Sequence, residues 1–171
     1  MASSDQGSKE KFTFFWGAND VFSQWYQCSF EIDGIRYNCA EQYMMHQKAV
    51  MFGDEEKSAE ILEASHPRDQ KRMGREVRNF DGNEWNTKCR DVVIEGNYAK
   101  FTQNKDLKEK ILETTGSLLV EASPRDCIWG IGLGAKNPKA LCKSTWRGKN
   151  LLGYCLTTVR DRILSESQAG H

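Results

Sequence analysis

The sequence predicts an α+β fold, in which one compact and mainly helical domain carries a small antiparallel sheet or hairpin. Apolar residues recur at helical spacing over much of the chain, and Asp33-Gly34 separates two short β-prone segments. No linker or repeat divides the 171 residues, a length typical of one domain. We therefore expect a domain over residues 11–164, between a disordered tail at residues 1–10 and a C-terminal tail at residues 165–171.

Four segments favour β-strands. Residues 11–16 are rich in aromatic side chains, which suit a pleated, half-buried surface. Residues 28–32 and 35–37 flank Asp33-Gly34, the strongest short hairpin signal in the chain. Residues 117–122 form a short apolar run before an irregular stretch, and we predict a strand there.

Six helices follow from capping residues and apolar spacing. Asn38 with Glu41 three positions later fits a capping box, and Asp54, Asn104 and Asn150 precede later helical segments. The predicted helices cover residues 38–52, 55–64, 65–78, 83–102, the stretch between Asn104 and Gly116, and a last segment from Asn150. Residues 123–150 are rich in glycine and irregular, and loops of this length are usually functional.

The charge balance limits the kinds of partner. The chain has 24 basic and 24 acidic residues, which excludes a broad basic coat for nucleic acid and leaves room for a local pocket. No apolar run approaches the roughly 20 residues of a membrane span, and the polar start lacks the apolar core of a signal peptide. We expect a cytoplasmic or nuclear protein with no membrane contact.

Six cysteines raise the question of metal binding. They form no Cys-x-x-Cys pair, and the three histidines do not stand at zinc-finger spacing. We therefore expect buried, reduced cysteines and neither a metal site nor a cofactor.

Lys48 is the first candidate for chemistry. On the predicted helix it lies one turn from Met44, Met45, Met51 and Phe52. Desolvation by such neighbours lowers the pKa of a lysine and frees a neutral amine to attack a carbon centre. The alternative is that the side chain reaches water along its own stem.

Two carboxylates are further candidates. Glu41 precedes Lys48 by about 10 Å on the same helix face, although its spacing from Asn38 also fits a cap. Asp126 precedes an aromatic and glycine-rich loop and is compatible with a turn that binds backbone N–H groups. Paired carboxylates of this kind are what glycosidic-bond hydrolysis uses.

The irregular stretch also has features of an anion and ring-binding site. Gly130, Gly132 and Gly134 allow close backbone approach without forming a dinucleotide-binding fingerprint. Trp85 and Trp129 are available to stack on a flat base, or alternatively to fill the core. Nearby cations could bind phosphate: Lys136, Lys139, Lys143, Arg147 and Lys149.

Taken together, these motifs and their order resemble the NADAR family, the YbiA-like N-glycosidases linked to NAD, ADP-ribose and riboflavin-biosynthesis intermediates. The resemblance covers about residues 12–164. It rests on Phe15-Trp16, Phe22-Ser23-Gln24-Trp25, Cys39-Ala40-Glu41-Gln42-Tyr43, Gln47-Lys48-Ala49, Met73-Gly74-Arg75, Trp85, Ile128-Trp129-Gly130-Ile131-Gly132 and Gly148-Lys149-Asn150-Leu151-Leu152-Gly153.

The resemblance implies a hydrolase acting on an N-glycosyl bond to a phosphorylated ribose. It implies catalytic roles for Glu41, Lys48, Trp85 and Asp126. It implies substrate binding at Trp16, Trp129, Gly130, Gly132 and Asn150.

Two candidate substrates and one non-catalytic function stay open. Some members of the flavin-precursor branch have aspartate where this chain has Ile131, which favours removal of ADP-ribose from modified guanine in DNA or RNA. The alternatives are cleavage of phosphoribosylated riboflavin intermediates and a module that only binds ADP-ribose or NAD.

The expected mechanism is covalent. Neutral Lys48 attacks ribose C1 and forms a Schiff base, Glu41 transfers protons, and Asp126 holds the ribose hydroxyls or stabilises charge at C1. Attack by water, assisted by Glu41 and Asp126, is the alternative.

Overall fold

Six α-helices and four short β-strands form the fold over residues 10–170, the part of the chain that the computed structural model describes. This confirms the mainly helical α+β prediction. The elements are β1 (Phe12–Phe15), β2 (Phe30–Ile32), β3 (Ile35–Tyr37), α1 (Ala40–Met51), α2 (Glu55–Glu63), α3 (Pro67–Arg75), α4 (Gly82–Gln103), α5 (Lys105–Leu112), β4 (Leu118–Glu121) and α6 (Leu151–Ala169). The N-terminal tail predicted at residues 1–10 lies, except for Glu10, outside the described residues, as does His171.

The strands form two separate two-stranded sheets. β2 and β3 form the predicted antiparallel hairpin, and Asp33 and Gly34 have φ angles of 52° and 80°. Positive φ at both central residues is what a tight hairpin turn requires. The second sheet pairs β1 with β4 in parallel, with Phe12 opposite Leu118. Local sequence signals indicate neither this pairing nor its direction, because the strands are far apart in the chain.

The start of α1 differs from the predicted capping box. The helix begins at Ala40, and Cys39 makes no side-chain cap. The side chain of Gln42 turns back instead, and its Oε1 accepts a hydrogen bond of 2.8 Å from the backbone N–H of Asn38. Glu41 is therefore not used as a cap, and its carboxyl remains available for another role.

Helix packing places α1 near the centre of the molecule. α1 packs against α2, α3 and α4, while α6 packs between α4 and β4. The main hydrophobic core includes Phe101, Leu156 and Val159, all fully buried. α3 ends at Arg75, earlier than predicted. α6 continues to Ala169, so residues 165–169 of the predicted C-terminal tail are helical.

A buried amide joins the last helix to β4. Asn150 is fully buried and has a φ of 53°. Its Oδ1 accepts a 2.9 Å hydrogen bond from the N–H of Glu121, and its Nδ2 donates a 3.1 Å bond to the carbonyl of Leu119. The predicted side-chain cap of α6 does not form, because both polar atoms of the side chain bond to the strand.

Replacing Asn150 with alanine should destabilise the fold strongly. Asn150→Ala leaves two buried backbone groups without partners and strains a positive φ, so we expect the free energy of unfolding to fall by about 3 kcal/mol. Asn79 is exposed and has a φ of 63°, which makes Asn79→Ala a matched control with an expected loss of about 1 kcal/mol. Urea unfolding measures both. Equal losses would mean that the amide bonds contribute nothing beyond backbone conformation.

Candidate active site

A cleft with a volume of about 910 Å³ is bordered by α1, α3, the first turn of α4 and the loop after β4. The segment that follows β1, residues 16–25, provides another wall. The cleft brings together six of the predicted site residues: Trp16, Glu41, Lys48, Trp85, Asp126 and Trp129. Residues from distant parts of the chain therefore meet in one cavity large enough for a nucleotide.

Lys48 lies half-buried on the α1 wall. Its Nζ is 4.5 Å from the ring centroid of Phe80 and 5.9 Å from that of Trp85. Burial lowers the pKa of Lys48, and the positive charge of Arg75 adds to this effect, whereas the charge of Glu41 opposes it. The amine is thus set between aromatic rings in a partly desolvated position, as its apolar helix neighbours predict.

Glu41 lies two turns before Lys48 on the same helix and is 8% exposed. Burial raises its pKa from the ordinary value to about 7, while the charges of Lys71 and Lys48 and the side chain of Trp25 offset part of the rise. A carboxyl with this pKa can take up or release a proton near neutral pH.

Asp126 combines the two roles that its sequence position allows. Its Oδ1 accepts hydrogen bonds from the N–H groups of Ile128 (2.9 Å) and Trp129 (2.8 Å), as in the predicted turn. The same residue lines the cleft. No hydrogen bond to Oδ2 is found within residues 10–170, which leaves that oxygen for a ligand.

All three predicted tryptophans line the cleft, and two of them, Trp85 and Trp129, also contribute to the hydrophobic core. Trp85 is only 8% exposed and belongs to the main core, yet it forms part of the cleft wall. Trp129 packs on the edge of the same core. Trp16 is 63% exposed and lies at the rim. An exposed tryptophan at a cleft is suited to stacking on a planar ring.

Three residues predicted to bind substrate lie away from the cleft surface. Gly130 is buried, and a Cβ there would lie 2.9 Å from the carbonyl oxygens of Asp126 and Glu121. Gly132 has a φ of 70°, and its Cβ would lie 3.0 Å from that of Arg147. These glycines allow the loop to fold tightly on itself, and Asn150 supports β4 as described above.

Besides Lys48, the cleft contains three cations to which the sequence analysis assigned no role. Lys71 and Arg75, one turn apart on α3, and Arg125 line the cavity. Of the cations predicted for a phosphate loop, Lys143 forms a 2.7 Å ion pair with Glu10, and Lys136 borders a neighbouring cavity. The spacing of Lys71 and Arg75 on a helix was the available signal.

Glu121 is a further acidic residue of the cleft that was not predicted. It is the last residue of β4, and its Oε2 is buried without a hydrogen-bond partner among the described residues. Burial raises its pKa to about 8, and the negative charges of Asp126 and Asp20 add to the rise. The only sequence signal for Glu121 was its position as a charged residue at the end of an apolar strand.

A second cavity of about 420 Å³ adjoins the cleft at Trp16, which lines both. Its walls are mostly apolar and include Phe14 and Pro124, with Asp20 and Lys136 as charged members. The segment from Glu121 to Arg125 separates the two cavities. Its residues alternate between them: Glu121, Ser123 and Arg125 line the cleft, and Ala122 and Pro124 line the second cavity.

Within residues 10–170, no group of three or more histidine, cysteine, aspartate or glutamate side chains is arranged to hold a metal ion. None of the helices in this range combines the length and apolar character needed to cross a membrane.

Comparison with known proteins relates this arrangement to one family. The NADAR domain model matches residues 14–164. N-glycosidase R617 of Acanthamoeba polyphaga mimivirus is 44% identical over 163 residues, covering 89% of this chain and 96% of that protein. N-glycosidase YbiA of Escherichia coli K12 is 31% identical over 145 residues, covering 85% and 82%. The NMR structure of E. coli YbiA superposes with a TM-score of 0.78 at 28% identity, over 95% of this chain and 90% of that one.

The raised pKa of Glu41 predicts a pH-dependent stability. The native state binds the carboxyl proton of Glu41 more tightly than the unfolded chain does, and this difference stabilises the fold. The stabilisation is present below the unfolded pKa near 4 and is lost as the pH rises through about 7. Glu41→Gln should therefore increase the free energy of unfolding at pH 8 by about 2 kcal/mol, with little change at pH 4. Glu109→Gln, at an exposed position of α5, is the control. Urea unfolding at both pH values tests this, and the same change at each would contradict it.

Proposed function

This chain belongs to the NADAR family, and we propose that it is an N-glycosidase that removes ADP-ribose from ADP-ribosylated guanine in nucleic acid. The observation that carries the proposal is a half-buried lysine amine, Lys48, in one cleft with the carboxyls of Glu41 and Asp126. A nucleophile with a lowered pKa beside a carboxyl with a raised pKa is suited to attack at a sugar carbon at neutral pH. The names of two relatives, both N-glycosidases, support the same bond type.

The reaction begins when the neutral amine of Lys48 attacks ribose C1. The C1–Nζ bond forms, the bond from C1 to the base breaks, and its electron pair leaves with the base. Glu41 accepts the proton that the amine loses, and Asp126 Oδ2 binds the ribose hydroxyls or stabilises positive charge at C1. Ring opening gives a Schiff base, which water then hydrolyses to release ADP-ribose and restore the amine.

Two features support ADP-ribose over a substrate with one phosphoribosyl group. Lys71, Arg75 and Arg125 provide several cations in one cleft, which suits a diphosphate. The adjoining cavity behind Trp16 offers a second, apolar site for a ring system. ADP-ribose has two ribose groups joined by a diphosphate, and it can occupy both cavities when the reacting ribose lies beside Lys48.

The guanine partner would be recognised at a local site in DNA or RNA. The net charge of zero provides no extended surface for the phosphate backbone, so binding to long nucleic acid should be weak and salt-sensitive. Specificity would then depend on the modified base inside the cleft, where Trp85 and Trp129 offer ring faces.

Cleavage of two defined compounds tests the proposal. We expect release of ADP-ribose from an oligonucleotide carrying ADP-ribosylated guanine, which leaves unmodified guanine in the strand, and at least tenfold slower cleavage of a phosphoribosylated flavin precursor. Lys48→Ala should lower the rate by about a thousandfold or more, because it removes the nucleophile. Lys88→Ala, at an exposed position of α4, should have no effect.

Borohydride reduction distinguishes the two mechanisms. With ADP-ribose present, native protein should gain one covalent adduct, which peptide mass spectrometry locates at Lys48, and Lys48→Ala should gain none. Cleavage of the N-glycosyl bond without a trapped adduct would favour attack by water. Binding of ADP-ribose without cleavage of either substrate, unaffected by Glu41→Ala, would identify a binding module instead.

Trp16 should contribute to affinity only for substrates that reach the second cavity. Loss of one stacking contact costs about 1–3 kcal/mol, so Trp16→Ala should raise KM for the ADP-ribosylated substrate about tenfold. KM for guanine linked to ribose 5-phosphate should change less than about twofold, because this compound lacks the second nucleoside. Trp16→Phe retains a ring and serves as the control. An equal rise for both substrates would refute a two-cavity binding mode.

A further inference from the structure

We propose that Glu121 is a further catalytic residue, the general acid that gives its proton to the departing base. The inference rests on the proposed N-glycosidase activity and extends it, because attack by Lys48 and proton transfer to Glu41 leave the base without a source of protons. A purine that departs as an anion is a poor leaving group, and protonation during bond breaking removes this barrier.

Hydrogen bonds fix the backbone of Glu121 through both its N–H and its carbonyl. Its N–H donates to Oδ1 of Asn150 at 2.9 Å, and its carbonyl accepts from the N–H of Ile131 at 3.0 Å. The residue also ends β4, opposite Phe15 of β1. The residue lines the cleft, and its side chain extends from a fixed backbone, as a group that must meet a reacting atom requires.

The surroundings of the carboxyl favour its protonated form. Oε2 is buried and has no hydrogen-bond partner within residues 10–170, and a carboxylate oxygen in that position would lose hydration without compensation. Asp126 and Asp20, the charged groups that raise its pKa, are both negative. Lys48, Lys71, Arg75 and Arg125 line the same cleft, yet burial and the two aspartates dominate and raise the pKa to about 8.

The other two carboxyls are arranged for different tasks. Glu41 lies two turns before Lys48 on α1 and lines the same cleft, and the proposed function gives it the proton that this amine loses. Asp126 accepts two backbone N–H groups through one oxygen, a geometry that suits an acceptor. Glu121 therefore supplies the proton that the base takes up. Before the next turnover Glu41 loses its proton to solvent and Glu121 regains one, so the water that is consumed supplies the C1 hydroxyl and, overall, the proton on the base.

A substrate with a good leaving group provides the test. Glu121→Gln retains the shape of the side chain but has no acidic proton. We expect kcat for the ADP-ribosylated guanine oligonucleotide to fall about 100- to 1000-fold with KM changed less than about threefold. p-Nitrophenyl riboside 5-phosphate needs no proton to depart, so its kcat should fall less than about threefold. Equal losses with both compounds would overturn the assignment and indicate a positioning role.

The pH profile provides a second readout on the same variant. In native protein, kcat for the guanine substrate should decrease above about pH 8 as Glu121 ionises, and this decrease should disappear in Glu121→Gln. A decrease that persists in the variant would overturn the assignment.

Carbon-13 NMR reports the protonation state of the Glu121 carboxyl without turnover. The Glu121 carboxyl carbon, assigned by its loss in Glu121→Gln, should have the shift of a protonated acid at pH 6 and should move when ADP-ribose is added. An ionised carboxyl at pH 6 would overturn the assignment by itself. Native protein that neither releases ADP-ribose from the oligonucleotide nor releases p-nitrophenol would instead refute the N-glycosidase proposal, and the general acid with it.

Discussion

The amide of Asn150 forms two hydrogen bonds to β4 from the point where α6 begins, and the loop side of the cleft depends on them. β4 is also paired with β1, so one buried side chain links the last helix to the parallel sheet. Burial without partners would make this amide costly, whereas two well-formed bonds turn it into a specific connection. Glu121 and the turn at Asp126 follow directly from the strand that Asn150 supports. A change in this packing would therefore reach the cleft.

Proton positions in the cleft follow mainly from desolvation. Burial disfavours the charged form of both acids and bases, which lowers the pKa of Lys48 and raises those of Glu41 and Glu121. When the pKa values of a lysine and a glutamate are shifted toward each other, proton exchange between the two groups costs less free energy. Desolvation moves the pKa values of Lys48 and Glu41 closer to neutral pH than those of isolated side chains, and the opposite charges of the two groups limit these shifts.

The sequence predicted the features that depend on neighbouring residues. Asp33-Gly34 identified the hairpin, whereas the apolar helix neighbours of Lys48 left open both a desolvated amine and a side chain that reaches water. The four catalytic positions implied by family resemblance, Glu41, Lys48, Trp85 and Asp126, all line one cleft, although their roles remain predictions.

Features that depend on distant contacts were missed. The β1–β4 pairing is one example, and Glu121 is another, because its place in the cleft depends on the loop that folds beside it. Gly130, Gly132 and Asn150 were assigned to substrate because sequence cannot distinguish a glycine or amide that packs a loop from one that meets a ligand.

The thin wall between the two cavities places a strict requirement on chain length. From Glu121, at the end of β4, to Arg125, in the turn that follows, the residues line one cavity and the other in alternation. Deleting or inserting one residue here would reverse the parity of the segment, moving acidic and basic groups out of the cleft and apolar groups into it. Evolution can therefore vary the composition of this wall far more readily than its length.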